Sequence, residues 1–169
     1  MQSILQSDLH VAGTVSAKSF TLPAGCVTNA AIQGAAGIDA TKVVHQFPLY
    51  VQQSPGSAVV AATTLLHILR ATGSVVSIEA VTTTPATGAD RTVTIDLQKS
   101  TAAGAFATVL SAPITLDDAT VARTPVSGTV TDPTLVDGDQ LQIVVSVTGA
   151  AGSQAQGLLV TIVVREEPL

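Results

Sequence analysis

From position 92 the chain alternates with a period of two: Val93, Ile95 and Leu97 fall on one side, Thr94 and Asp96 on the other. Successive side chains of an extended backbone point to opposite faces, so this is the pattern of a strand with one face in a core. The alternation is clearest near the C-terminus. Leu141, Ile143, Val145 and Val147 are interleaved with Gln142, Val144 and Ser146, and after positions 148–156 the pattern resumes at Leu158, Val160, Ile162 and Val164. These two runs read as long antiparallel partners, with a hairpin-type loop around Gly149. Further β-rich runs lie at 66–70, 75–81, 106–110 and 114–116, separated by turn signals such as Gly73-Ser74 and the stretch 84–90. The segment 121–130 is broken by Pro125 and Gly128 and reads as an edge or bulged strand. About eight short strands without a helical period predict a mainly β fold, an antiparallel β-sandwich of jelly-roll type. Its predicted core is Val93, Ile95, Leu97, Leu141, Ile143, Val145, Leu158, Val160 and Ile162.

The N-terminal text differs. Positions 9–42 are rich in Ala, Gly and Thr and carry too few large side chains for a core. The chain therefore divides into an extended N-terminal arm, 1–45, and a β-sandwich domain, 46–169. Stretches 27–32 and 38–43 could each form a turn or so of helix, but neither is long enough to be stable alone. Such an arm orders only against a surface supplied by the body, a sister chain or another protein. Val11, Val15, Phe20, Leu22, Val27, Ile32 and Ile38 recur often enough for an extended segment to fill shallow grooves on a partner. Two roles stay open for it, attachment to that partner and wrapping of its own oligomer. The outward face of the last two strands is itself partly apolar, with Val144, Leu159 and Val163 beside Thr161. A single sandwich buries one face of each sheet, so these three residues are expected at a subunit interface.

Composition sharpens this reading. Hydrophobic residues make up 46% and charged residues 11%, yet aromatics are 2% and Trp is absent, so the core must be small and aliphatic. So little charge over so much apolar sequence predicts an obligate oligomer. A net charge of −5, with seven Lys and Arg spread singly, leaves no basic stripe for phosphates, and nucleic-acid binding is not expected. The first residues lack the pattern of a signal peptide, and the longest apolar-rich stretch, 58–71, contains His67 and Arg70 and is shorter than the roughly 20 residues of a membrane span. Synthesis in a cytoplasm, without a membrane role, is the expectation. The lone Cys26 has no internal disulfide partner and reads as a structural thiol.

Candidate chemistry is sparse. His10, His45 and His67 are scattered without metal-ligand spacing, no Gly-x-Ser-x-Gly elbow occurs, and the Gly149–Gly152 loop lacks the Lys of a phosphate cradle. No catalytic, cofactor or metal residue is expected. The one polar cluster is acidic, with Asp132, Asp137 and Asp139 before the Leu141 run and Asp117 and Asp118 on an earlier loop. Carboxylates converging from loops could hold Ca²⁺, but the order is not that of an EF-hand, and solvated turn residues are the preferred reading.

The run Phe20-Thr-Leu-Pro-Ala-Gly-Cys-Val-Thr-Asn-Ala-Ala-Ile, followed by Ala35-Ala-Gly-Ile-Asp-Ala-Thr-Lys-Val, resembles the short N-terminal motif of tailed-phage virion proteins of the head-fibre and capsid-decoration kind. Arg91-Thr-Val-Thr-Ile-Asp-Leu-Gln-Lys, Val109-Leu-Ser-Ala-Pro-Ile-Thr-Leu and Val136-Asp-Gly-Asp-Gln-Leu extend the resemblance over the body. It implies a non-enzymatic decoration (cement) or head-fibre protein on the outer capsid surface of a virion, a homotrimer seated on the major capsid protein with its N-terminal part toward the shell. A receptor- or glycan-binding fibre or tail protein is the competing expectation. Sugar faces usually call for exposed aromatics, however, and the chain has three Phe, one Tyr and no Trp.

Overall fold

The structure is a computed structural model that describes residues 44–167, except 102, 103 and 151. Every described residue belongs to the unit Ile38–Leu169. These residues form ten strands: β1 (His45–Gln52), β2 (Ala62–Ile68), β3 (Gly73–Thr84), β4 (Thr92–Ser100), β5 (Ala107–Thr108), β6 (Ile114–Leu116), β7 (Val126–Gly128), β8 (Thr134–Leu135), β9 (Gln140–Thr148) and β10 (Gln156–Glu166).

The strands make two five-stranded sheets. One has the order β1-β10-β3-β7 with β8 also on β3, the other the order β2-β9-β4-β5 with β6 also on β4. Every pairing is antiparallel. Early and late strands thus neighbour each other in both sheets while the chain passes from one sheet to the other between β1, β2, β3 and β4. That is the jelly-roll order, and the expected mainly β sandwich is the fold.

Its core is the sum of the inward-facing alternate positions. The nine predicted residues Val93, Ile95, Leu97, Leu141, Ile143, Val145, Leu158, Val160 and Ile162 are all buried, none above 2% exposed. Leu69, Ile78, Leu116 and Leu135 complete the layer between the sheets. Each fully buried Leu, Ile or Val contributes about 1.5–3 kcal/mol relative to leaving it in water. An aliphatic set without Trp is therefore sufficient to hold a sandwich of this size.

The last two strands depart from expectation. β9 pairs with β2 and β4, and β10 with β1 and β3, so they lie in opposite sheets and do not form a hairpin. Alternation identifies a buried face but not a hydrogen-bonding neighbour, and two strands facing each other across a core carry the same pattern as two side by side. The Gly149–Gly152 segment is accordingly an arch between sheets. It packs on a second arch, residues 85–91, which carries β3 into β4. Thr87 N donates to Ser153 O (3.0 Å), Ser153 N to Thr87 Oγ1 (2.8 Å) and Arg91 NH1 to Gln154 Oε1 (3.0 Å).

β1 carries Pro48, which removes a backbone donor, and is tolerated because β1 pairs only with β10. β7 is likewise an edge strand on β3, as the broken pattern at Pro125 and Gly128 predicted. Two bulges adjust the faces. Leu66 is the extra residue between Leu65 and His67 of β2, opposite the step from Gln142 to Leu141. Val76 is the extra residue of β3 beside the step from Val163 to Val164.

Candidate functional site

The functional question falls on the two outward sheet faces, where the expected interface residues lie. Val144 projects from the middle of β9 with Thr63 and Asp96 as its cross-strand partners. Around it the polar side chains satisfy one another. Gln142 Nε2 donates to Gln98 Oε1 (2.9 Å), Gln98 Nε2 to Asp96 Oδ2 (2.8 Å), and Thr108 Oγ1 to Asp96 Oδ1 (2.5 Å). With Gln140, Gln142 and Ser146 as its other outward residues, the central strand of this sheet presents a hydrogen-bonded polar ladder to water. Val144 stands within it, and Leu65 and Ile68 of β2, opposite Gln142 and Gln140, are 54% and 46% exposed on the same side.

The opposite outer face is built on β1, β10 and β3. Leu159, Thr161 and Val163 point outward from the central strand β10, and their partners on β1 and β3 extend three rows: Gln52–Leu159–Val81, Tyr50–Thr161–Glu79 and Pro48–Val163–Ser77. Val76, the bulge residue, is 47% exposed, and Tyr50 is 59% exposed. The structure thus brings Leu159 and Val163 onto one face and sets Val144 on the other, so the three do not form a single patch. Sequence periodicity could not separate them, because it places a residue inside or outside without saying which sheet it leaves from. Tyr50 and Val81 escaped the sequence reading for the same reason. Only their registers with Thr161 and Leu159 bring them to this face.

At one end of the face lies a shallow cavity of about 220 Å³, lined by Gln52, Val81, Thr83, Arg123, Gly157 and Leu159 among others. Gly157 has φ 63°, and a Cβ there would lie 2.4 Å from Thr83 Oγ1 and 3.1 Å from Pro55 Cα. Its missing side chain keeps the floor of the cavity open. Arg123 stands at the rim, held by its own N donating to Thr82 O (2.9 Å), with a left-handed φ of 59° that is uncommon for a residue other than glycine. Thr82 is buried beneath, and its Oγ1 has no hydrogen-bond partner.

The acidic residues do not converge. Asp132 binds Lys99 Nζ at 2.7 Å. Asp117 Oδ1 accepts from Ala119 N (3.0 Å) and Thr120 Oγ1 (3.1 Å), shaping its own turn. Asp137 is exposed. Asp139, expected as a solvated turn residue, is instead buried at 2% exposure. Its Oδ2 accepts from Val136 N (2.9 Å) while its backbone carbonyl accepts from Leu69 N (2.9 Å), so the turn before β9 folds over the carboxylate. Among the described residues no group of three or more His, Cys, Asp or Glu is placed to hold a metal ion.

His67 turns toward the sandwich interior, with Nε2 3.1 Å from Glu166 Oε1 and its ring edge-on to Phe47 at 5.3 Å between centroids. It thereby ties β2 of one sheet to β10 and β1 of the other, a structural clamp. His45 lies at the start of β1. His10, Cys26 and the arm residues Val11, Val15, Phe20, Leu22, Val27, Ile32 and Ile38 lie outside the described residues.

Comparison with protein-family models, with curated proteins and with solved structures yielded no match.

Proposed function

We propose that the chain is a structural virion protein, a capsid decoration (cement) or head-fibre protein of a tailed phage, that assembles as a homotrimer and binds the major capsid protein shell through its N-terminal arm. The observation that carries the self-assembly is the outward apolar row on β10 and its neighbours, which a free-standing sandwich would have no reason to keep out of contact. The arm's spaced apolar residues and the resemblance of 20–43 to virion N-terminal motifs support the attachment. Three arms on one capsid site would turn weak single contacts into stable seating by multivalency.

The test is addition of the purified protein to shells assembled without it, followed by co-sedimentation and a particle map at side-chain resolution. Binding at a defined lattice position, with trimeric density and the arm toward the shell, is the expected result. Failure to co-sediment at micromolar concentration, with the protein folded, would overturn the reading.

A further inference from the structure

We infer that the outer face of the β1-β10-β3 sheet is the docking surface for a second copy of this chain, with Glu79 of one copy set against Arg123 of the next. The inference deepens the self-assembly part of the function proposed above and rests on it.

Two observations bear on the occupant. The first is charge. Arg165, at the far end of β10, is already paired with Glu167 at 2.8 Å. Glu79 and Arg123 are in no ion pair among the described residues, and both are exposed. Glu79 receives only a long hydrogen bond from Ser127 Oγ, 3.4 Å. One acidic and one basic group, displaced along the same face with Val81 and Leu159 around the cavity between them, suit a cyclic contact in which each copy supplies one member of every pair. A partner of a single sign would leave one of the two groups facing like charge or nothing.

The second is size. Strands of about eight paired residues at ~3.3 Å each, over three strands ~4.8 Å apart, give a face of roughly 26 by 14 Å, or about 370 Å² in projection. The accessible area of a pleated surface exceeds its projection, and the cavity and the Arg123 rim add to it. In projection the face is about half of the ~800 Å² per partner of a standard-size association, so a second copy would cover it whole. Tyr50, the most exposed aromatic side chain on it, is of the type enriched at such contacts.

The test uses the full chain in sedimentation equilibrium, with circular dichroism to confirm folding. Wild-type protein is expected to be an oligomer at micromolar concentration. Glu79→Arg and Arg123→Glu should each raise the dissociation constant by about tenfold or more, through like charges in contact. The combined double variant should return it to near the wild-type value. Tyr50→Ala, which removes only exposed surface, should also weaken association, and Val144→Asp on the opposite face should leave it unchanged. A monomeric wild type, single reversals without effect, or dissociation by Val144→Asp alone would overturn the inference. Single reversals that leave the oligomer intact would overturn this inference alone, whereas an oligomer that does not bind shells would overturn the proposed attachment, so the two failures are distinguishable.

Discussion

Ile143 and Ile162 are each 0% exposed and face one another's sheets across the core. Truncating either to Ala should cost about 2–5 kcal/mol per subunit, since it removes buried methyl groups and leaves a cavity. Thr94→Ala and Thr161→Ala, on the outward sides of β4 and β10, should cost far less, and denaturant unfolding decides whether the two sets differ. Comparable losses would mean that the assignment of faces is wrong. Asp139 gives a second contrast. Asp139→Ala leaves Val136 N without its acceptor in a buried turn and should cost about 1–3 kcal/mol, whereas Asp139→Asn keeps an acceptor and should cost less. Ca²⁺ or a chelator should not move the melting temperature of the wild-type protein, and a clear rise with Ca²⁺ would revive the metal reading of this loop. All nine core positions were legible in the sequence because burial follows directly from side-chain alternation. The burial of Asp139 was not, since a carboxylate in Asp137-Gly138-Asp139 looks the same whether it meets water or folds back onto its own backbone.

At the scale of elements, the longest strands were legible and their partners were not. β4, β9 and β10 announce themselves by period two, and β7 by the breaks that confine it to an edge. β1 was hidden by Pro48, and the placement of β9 and β10 in opposite sheets depends on the arches, whose geometry is set by loop backbone. Gly149 and Gly152 both have positive φ, 82° and 74°, and a Cβ on Gly152 would lie 1.7 Å from Thr87 O of the facing arch. Gly152→Ala therefore combines backbone strain with a backbone clash. It should destabilise the fold by about 1–3 kcal/mol or more, read as a lower unfolding midpoint. Gly138→Ala is the control. It also has positive φ, but nothing lies within 4 Å of the added Cβ, and its cost should be smaller. Equal costs at the two positions would mean that the arch contact is not made.

At the scale of the whole molecule, both outer faces of the jelly-roll body carry exposed apolar side chains, Leu65 and Ile68 on one and Tyr50 and Val76 on the other, and attachment is the role we propose for the arm. The body's fold follows from its sequence pattern, whereas the choice between its two outer faces needed the strand order. Periodicity could name Val144, Leu159 and Val163 as outward but could not divide them between sheets. The central claim is that self-assembly belongs to the body and shell binding to the arm. It is tested most directly by a chain beginning at Val44, which keeps β1 intact, compared with the full chain for sedimentation mass and for co-sedimentation with shells assembled without the protein. The account predicts that the shortened chain remains a folded trimer and no longer binds the shells. Retained binding would place the capsid contact in the β body, and a folded monomer would return the arm to the role of holding its own oligomer together; either result contradicts the account.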